Sequence, residues 1–177
     1  MTLQEIQKTI RTVPDYPLPG ILFYDVTTMF KDPEALRSLV DMTYELYKDK
    51  GITKVVGIES RGFVLASALA VRLGAGFVPL RKPGKLPAKV FAEAYDKEYG
   101  KDIVEIHQDA ISSDDVVLIH DDILATGGTV GAANRLVQRF QPKALYDNFI
   151  IELPALKGRR HIPAGIEVTA LLELEGD

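Results

Sequence analysis

The chain has 177 residues, a net charge of -4, 46% apolar and 26% charged residues, and no cysteine. That length suits one α/β domain with a full core, and the balance excludes disordered and fibrous classes. The acidic total argues against a nucleic-acid surface, while the lack of cysteine removes disulfides, thiolate catalysis and Cys-based zinc from consideration and suits the cytosol.

Thr2 and Glu5 form a capping-box pattern, and Leu3, Ile6 and Ile10 share one face, so residues 2–10 open with a short helix ending before Pro14. The turn-rich run Asp15-Tyr16-Pro17-Leu18-Pro19-Gly20 leads into a segment, 21–27, that can be extended. Asp32 as N-cap, Pro33 at the first helical position and Gly51 beyond the end frame a second helix, with Leu36, Leu39, Val40, Leu46 and Tyr47 inward. Residues 1–32 lie ahead of this helix and of the main body. Next come a buried strand at 54–59, a helix at 62–73 and a strand at 76–81, the βαβ rhythm of a parallel sheet. The longest apolar stretch, 62–71, is flanked by Arg61 and Arg72 and falls short of the roughly 20 residues a membrane helix needs. Neither a membrane span nor a signal peptide is expected.

Pro83, Gly84, Pro87 and Gly100 interrupt the rhythm, and 82–102 reads as a long flexible loop of the kind that carries function. Regular structure resumes at 103–107. Alternation continues through a strand at 116–119, its helix, and strands at 144–152 and 166–174.

The stretch Val116-Val-Leu-Ile-His-Asp-Asp-Ile-Leu-Ala-Thr-Gly-Gly-Thr129 is the most informative in the chain. Val116 to Ile119 make a buried parallel strand, and Asp121 and Asp122 emerge at its carboxyl end, where ligands of open α/β sheets bind. Two carboxylates there can accept hydrogen bonds from the vicinal hydroxyls of a ribose. Ala125, Thr126, Gly127, Gly128 and Thr129 then turn into a helix with Val130, Ala133, Leu136, Val137 and Phe140 on one face. Its N–H groups, with the threonine hydroxyls, can hold a phosphate. His120 is expected to be a partly buried strand residue without a catalytic role.

Other segments supply positive charge. Gly57-Ile-Glu-Ser-Arg-Gly62 ends the first core strand, which places Arg61 near the same edge, with donors at Ser60 and Arg61. Arg81-Lys-Pro-Gly-Lys-Leu-Pro87 puts Arg81, Lys82 and Lys85 after another core strand, a local cationic site in an acidic chain.

The 116–129 stretch resembles the signature of the type I phosphoribosyltransferases, which bind phosphoribosyl pyrophosphate. With Pro19-Gly-Ile-Leu-Phe23, Glu59-Ser-Arg-Gly-Phe63, the Arg81 to Pro87 segment, Glu98-Tyr-Gly-Lys101 and Glu152-Leu-Pro-Ala-Leu-Lys-Gly-Arg159, nearly all the chain is similar to the adenine phosphoribosyltransferases. The resemblance implies one domain over 1–177 with a mainly parallel central sheet flanked by helices, a hood and a catalytic loop. It implies adenine and phosphoribosyl pyrophosphate as substrates, AMP and pyrophosphate as products, Mg²⁺ as cofactor held mainly by substrate oxygens and water, and a homodimer. By residue, it implies that Asp121 and Asp122 orient the ribose, that Glu59, Ser60, Arg61, Arg81 and Lys85 serve pyrophosphate, and that Arg81 reaches the neighbouring subunit's site. A non-proline cis peptide is implied between Glu59 and Ser60. Phe23 and Leu153 would sandwich the adenine, main-chain groups of Leu22 and Tyr24 would pair with its edge, and Glu98 would handle the N9 proton.

Two departures stand out: His120 replaces an aliphatic residue common before the acids, and Pro83 occupies a variable position of the basic segment. Ala125 speaks against the 6-oxopurine branch, whose members resemble this loop but place an Asp there. A transferase for another base, and a regulator that senses phosphoribosyl pyrophosphate without turnover, are the alternatives. The roughly 50 residues before the first core strand carry no helix-turn-helix spacing, which disfavours the regulator.

Overall fold

The computed structural model describes residues 1–96 and 100–176. Helix α1 (Leu3–Gln7) carries the full capping box between Thr2 and Glu5, but stops before Ile10. Only Ile6 of its apolar residues is buried, since so short a helix presents a single inward position. Strands β1 (Arg11–Pro14) and β2 (Leu22–Asp25) pair antiparallel across the 15–20 turn, and α2 (Thr27–Phe30) follows. Ile6, Val26 and Met29 anchor this hood on Leu39, Leu65, Ile150 and Leu172. Each such fully buried aliphatic side chain contributes roughly 1.5–3 kcal/mol.

Helix α3 (Pro33–Tyr47) starts as its sequence dictates, the Asp32 carboxylate accepting from Glu34 N at 2.9 Å and Ala35 N at 3.1 Å. Leu39 and Tyr47 face inward, whereas Leu46 lies 43% exposed. The inward stripe runs through Ala35, Leu39, Thr43 and Tyr47, and Leu46 falls beside it.

Strands β3 (Lys54–Ile58), β4 (Gly76–Leu80), β7 (Val116–Leu124), β8 (Ala144–Glu152) and β9 (Glu167–Glu173) form one parallel sheet in the order β4-β3-β7-β8-β9. Helix α4 (Gly62–Leu73) packs Leu65, Ala66, Leu69 and Ala70 inward and closes on Gly74 in the left-handed conformation, φ +69°. With α3 it covers one face, where Tyr47, Val55, Ala66, Leu69 and Leu118 cluster. Helix α5 (Gly128–Gln138) covers the other, with Val130, Ala133, Leu136 and Val137 on Val56, Val117 and Ile119. Gly57 lets α4 approach: a Cβ there would lie 2.7 Å from the Phe77 ring and 2.9 Å from Ala66 Cβ.

The 82–102 region is more regular than its prolines and glycines predict. Strand β5 (Val90–Asp96) pairs antiparallel with β6 (Lys101–His107) from Val90↔His107 to Asp96↔Lys101. Tyr95 packs with Val104 and Ile106 in the core cluster, which explains why this ribbon is a built element. Glu93 accepts from Arg135 Nε at 2.7 Å and Arg139 Nη2 at 2.8 Å, fastening β5 to α5. Among the described residues no helix is long and apolar enough to cross a membrane.

Candidate active site

The order of the sheet fixes where a ligand can enter. From β3 the chain moves outward to β4, and from β7 it moves the other way to β8 and β9, so the direction of winding reverses between β3 and β7. The crevice outside the carboxyl ends of those two strands is the switch point of an open α/β sheet. Residues 59–61 follow β3, and Asp121 and Asp122 lie near the end of β7. The acids do not follow the strand as their sequence suggests. Strand β7 runs on to Leu124, because Asp121 and Ile123 stay paired with Phe149 and Ile151 of β8.

A cavity of about 570 Å³ occupies this crevice, lined by Ile21, Leu22, Phe23 and Tyr24 of the hood, by Glu59, Ser60 and Arg61, and by Asp121, Asp122, Ala125, Thr129 and Leu153, among others. Aromatic and aliphatic walls thus meet charged groups at one end. The Glu59–Ser60 peptide is cis, as the motif implies. Arg61 Nε donates to Asp122 Oδ2, and its guanidinium sits 5.4 Å from the centre of the Phe23 ring. Asp121 Oδ1 accepts from Asp122 N at 2.9 Å. Burial, and then the adjoining charge of Asp122, push the Asp121 carboxyl well above its usual range, with Arg61 opposing them.

Glu59 gathers cations. Its carboxylate, only 10% exposed, accepts from Lys85 Nζ, from Lys82 N at 2.7 Å and from Arg81 Nε at 3.3 Å. Burial favours the neutral acid, but these donors outweigh it and hold Glu59 below its ordinary value. Arg81 and Lys85 therefore meet at Glu59, while Lys82 reaches the cavity wall. Lys82 Nζ donates to Tyr95 OH at 3.0 Å and to Asp102. Tyr95, not singled out in the sequence, lines the cavity as well. Its signal was the β-forming run around it, masked by the charges and glycines nearby.

Beside the main cavity lies a recess of about 80 Å³, lined by Asp121, Ala125, Thr126, Gly127, Gly128 and Thr129. Gly127 has φ +84°, and α5 begins at the next residue. The predicted phosphate loop is therefore contiguous with the paired acids. His120 is wholly buried, deeper than its sequence suggests, and its Nδ1 lies 2.8 Å from Asn148 Oδ1. Burial lowers its pKa to about 4, partly offset by Asn148 and the charge of Asp122, so the ring is neutral. Glu98 lies outside the described residues.

Among the described residues no cluster of three or more His, Asp or Glu side chains could cage a metal. The donor set nonetheless fits Mg²⁺, which keeps several waters and takes substrate oxygens alongside one or two carboxylates. Asp121 and Asp122 are the pair available to it.

Residues 25–160 match the family model for the phosphoribosyl transferase domain. The chain is 61% identical over 174 residues to the adenine phosphoribosyltransferase of Phocaeicola vulgatus, covering 98% of this chain and 100% of the relative. It superposes on the crystal structure of adenine phosphoribosyltransferase from Rhodothermus marinus with a TM-score of 0.91 at 50% identity, over 97% of this chain and 98% of that one. The Saccharomyces cerevisiae enzyme, solved with an imino-altritol bisphosphate and adenine, aligns at a TM-score of 0.90 and 41% identity, over 96% and 98% of the two chains. A switch-point cavity with paired acids, a glycine-rich helix start and this likeness over nearly its whole length lead to one conclusion: the chain belongs to the adenine phosphoribosyltransferase family.

Proposed function

We propose that the protein transfers the phosphoribosyl group of phosphoribosyl pyrophosphate to adenine, giving AMP and pyrophosphate, a purine salvage reaction. The observation that carries this reading is the adjacency of two spaces, the cavity walled by Phe23, Leu153, Asp121 and Asp122 and the recess of the 125–129 loop, which share Asp121, Ala125 and Thr129 as lining. Flat apolar walls suit a base, the acids suit a ribose and the loop suits a 5′-phosphate. Relatives named adenine phosphoribosyltransferase, and an adenine complex of one of them, support the choice of base.

In this reading adenine stacks between Phe23 and Leu153, with main-chain groups of Leu22 and Tyr24 along its edge. The 5′-phosphate rests on Ala125, Thr126, Gly127, Gly128 and Thr129. Ser60 and Arg61 face the pyrophosphate, and Arg81 and Lys85, collected on Glu59, add to the local positive field. As the bond between C1′ and the pyrophosphate oxygen breaks and the C1′–N9 bond forms, positive charge builds at C1′, and Asp121 and Asp122 stabilise it. The N9 proton passes to Glu98, the acid/base that the family resemblance implies. Mg²⁺ would be held mainly by substrate oxygens and water, with Asp121 and Asp122 available to it, and would supply charge neutralisation at the pyrophosphate.

The working form is a homodimer in which Arg81 also serves the partner's site. Val64 and Val71, seven residues apart on α4, are 39% and 83% exposed and provide an apolar strip that a subunit contact would cover. The protein acts in the cytoplasm.

Incubation with Mg²⁺, phosphoribosyl pyrophosphate and adenine, hypoxanthine, guanine or orotate in turn, with chromatography of the nucleotide, tests the reading. AMP should form, and chelation of the metal should stop it. Binding of phosphoribosyl pyrophosphate without any nucleotide would instead indicate a sensor, and a different nucleotide a different transferase.

A further inference from the structure

Glu152 and Arg159 touch neither the cavity nor its recess, yet they hold the piece of backbone on which the 125–129 loop leans. Glu152 ends β8 with its side chain 7% exposed, and both its oxygens are taken by one guanidinium: Arg159 Nε donates to Oε1 at 2.7 Å and Nη2 to Oε2 at 2.6 Å. Arg159 Nη1 also reaches Val168 O of β9 at 3.4 Å. The fork thus fastens the 3₁₀ turn Gly158–His161 to the end of β8 and the start of the edge strand β9.

That turn lies main chain to main chain against the phosphate loop. A Cβ built on Gly127 would fall 2.1 Å from Gly158 O, and one on Gly158 would fall 2.3 Å from Ala125 O. A third contact reaches the first turn of α5, where a Cβ on Gly131 would lie 2.8 Å from His161 O. With no side chains between the two segments, a shift of Gly158 is transmitted directly to residues 125–127. Lys157 aims the turn, with the left-handed φ of +53° and its N–H on Pro154 O at 3.0 Å.

We propose that Glu152 and Arg159 are positioning residues for the 5′-phosphate: their bidentate pair sets Gly158 against the back of the cradle and so sets the spacing of its N–H donors. This rests on reading 125–129 as the phosphate site. The Arg159 side chain is 49% exposed and Glu152 only 7%, so solvent screens the pair from one side, and the role assigned to it is geometric. A lysine keeps the charge but cannot reproduce a planar two-point contact.

The test measures calorimetric binding of ribose 5-phosphate and of pyrophosphate to the full chain and to Arg159→Lys, Arg159→Gln, Glu152→Gln and, as a cradle control, Thr129→Val. Ribose 5-phosphate affinity should fall about tenfold in all three brace variants, the size of a typical coupling between residues in contact. Pyrophosphate affinity should stay within about twofold, and KM for phosphoribosyl pyrophosphate should rise while kcat holds, the pattern of lost uniform binding. Equal losses for both ligands, no loss for either, or wild-type ribose 5-phosphate affinity in Arg159→Lys alone would overturn the proposal. The last outcome would mean that charge, not placement, matters. If a glutamine variant fails to fold, Arg159→Lys, the least disruptive, decides by itself. If Thr129→Val leaves ribose 5-phosphate binding intact, the loop is not the phosphate site and the proposal falls with that reading. If only the brace variants bind normally, the reading stands and the positioning role falls.

Discussion

Arg61 Nε donates to Asp122 Oδ2 in the wall of the cavity, joining the segment after β3 to the carboxylate pair of β7. The contact spans the switch point, where the proposed pyrophosphate and ribose would meet. With Asp121 pushed toward its neutral form by burial and by Asp122, the pair carries less negative charge than two free carboxylates, and Arg61 offsets the remainder. Arg61 is therefore poised to exchange a carboxylate for a phosphate oxygen, a charge-assisted contact of the same kind.

Removing that cation should be costly. Arg61→Ala is expected to lower kcat/KM for phosphoribosyl pyrophosphate by roughly 10²-fold or more, the loss seen when a donor to developing anionic charge is deleted. Asp121→Asn and Asp122→Asn should each reduce both turnover and phosphoribosyl pyrophosphate binding. Steady-state kinetics with adenine saturating checks all three, and an unchanged Arg61→Ala would remove Arg61 from the pyrophosphate site.

Glu98 makes a different demand, because it is asked only to move a proton. Glu98→Gln keeps the size of the side chain and should lower kcat by about 10²–10⁴-fold while phosphoribosyl pyrophosphate affinity changes little. Turnover equal to wild type would exclude the proton-transfer role.

Much of this arrangement is legible in the residues themselves. The Asp32-Pro33 start of α3, the 62–73 span of α4 and the 144–152 span of β8 follow from capping signals and apolar periodicity, which act locally. The signature also brings Asp121 and residues 125–129 together around one recess, because strand, turn and helix are contiguous there. The β5–β6 ribbon is harder to see: its pairing is set by Tyr95, Val104 and Ile106 docking on the core and by Arg135 and Arg139 clamping Glu93, contacts between segments far apart in the chain. The same holds for the continuation of β7 through Asp121, which depends on β8 beside it, and for Gly158, whose role appears only when the 127 loop lies against it.

Asp147 gives the fold a pH dependence of its own. It is wholly buried, its Oδ2 accepts from Asn134 Nδ2 at 2.8 Å, and its Oδ1 and Asn134 Oδ1 have no partner. Burial, opposed in part by Asn134, raises its pKa from the usual 3.8 to about 7. Protonation turns one of two orphan acceptors into a donor. A folded-state pKa above the unfolded one means that the contribution of this group to stability is fully present below about pH 4 and is lost as pH rises to about 7. Asp147→Asn should remove that loss. Urea midpoints at pH 5 and pH 8 should show a smaller drop for the variant than for the wild type, and parallel drops would show that Asp147 titrates alike in both states.

The proposed chemistry is most directly tested in reverse. With Mg²⁺ and pyrophosphate, the protein should release adenine from AMP, with phosphoribosyl pyrophosphate formed in equal amount, and should leave IMP, GMP and orotidine monophosphate intact. Release of another base in preference to adenine, or no release from AMP under conditions in which AMP binds, would contradict the assignment.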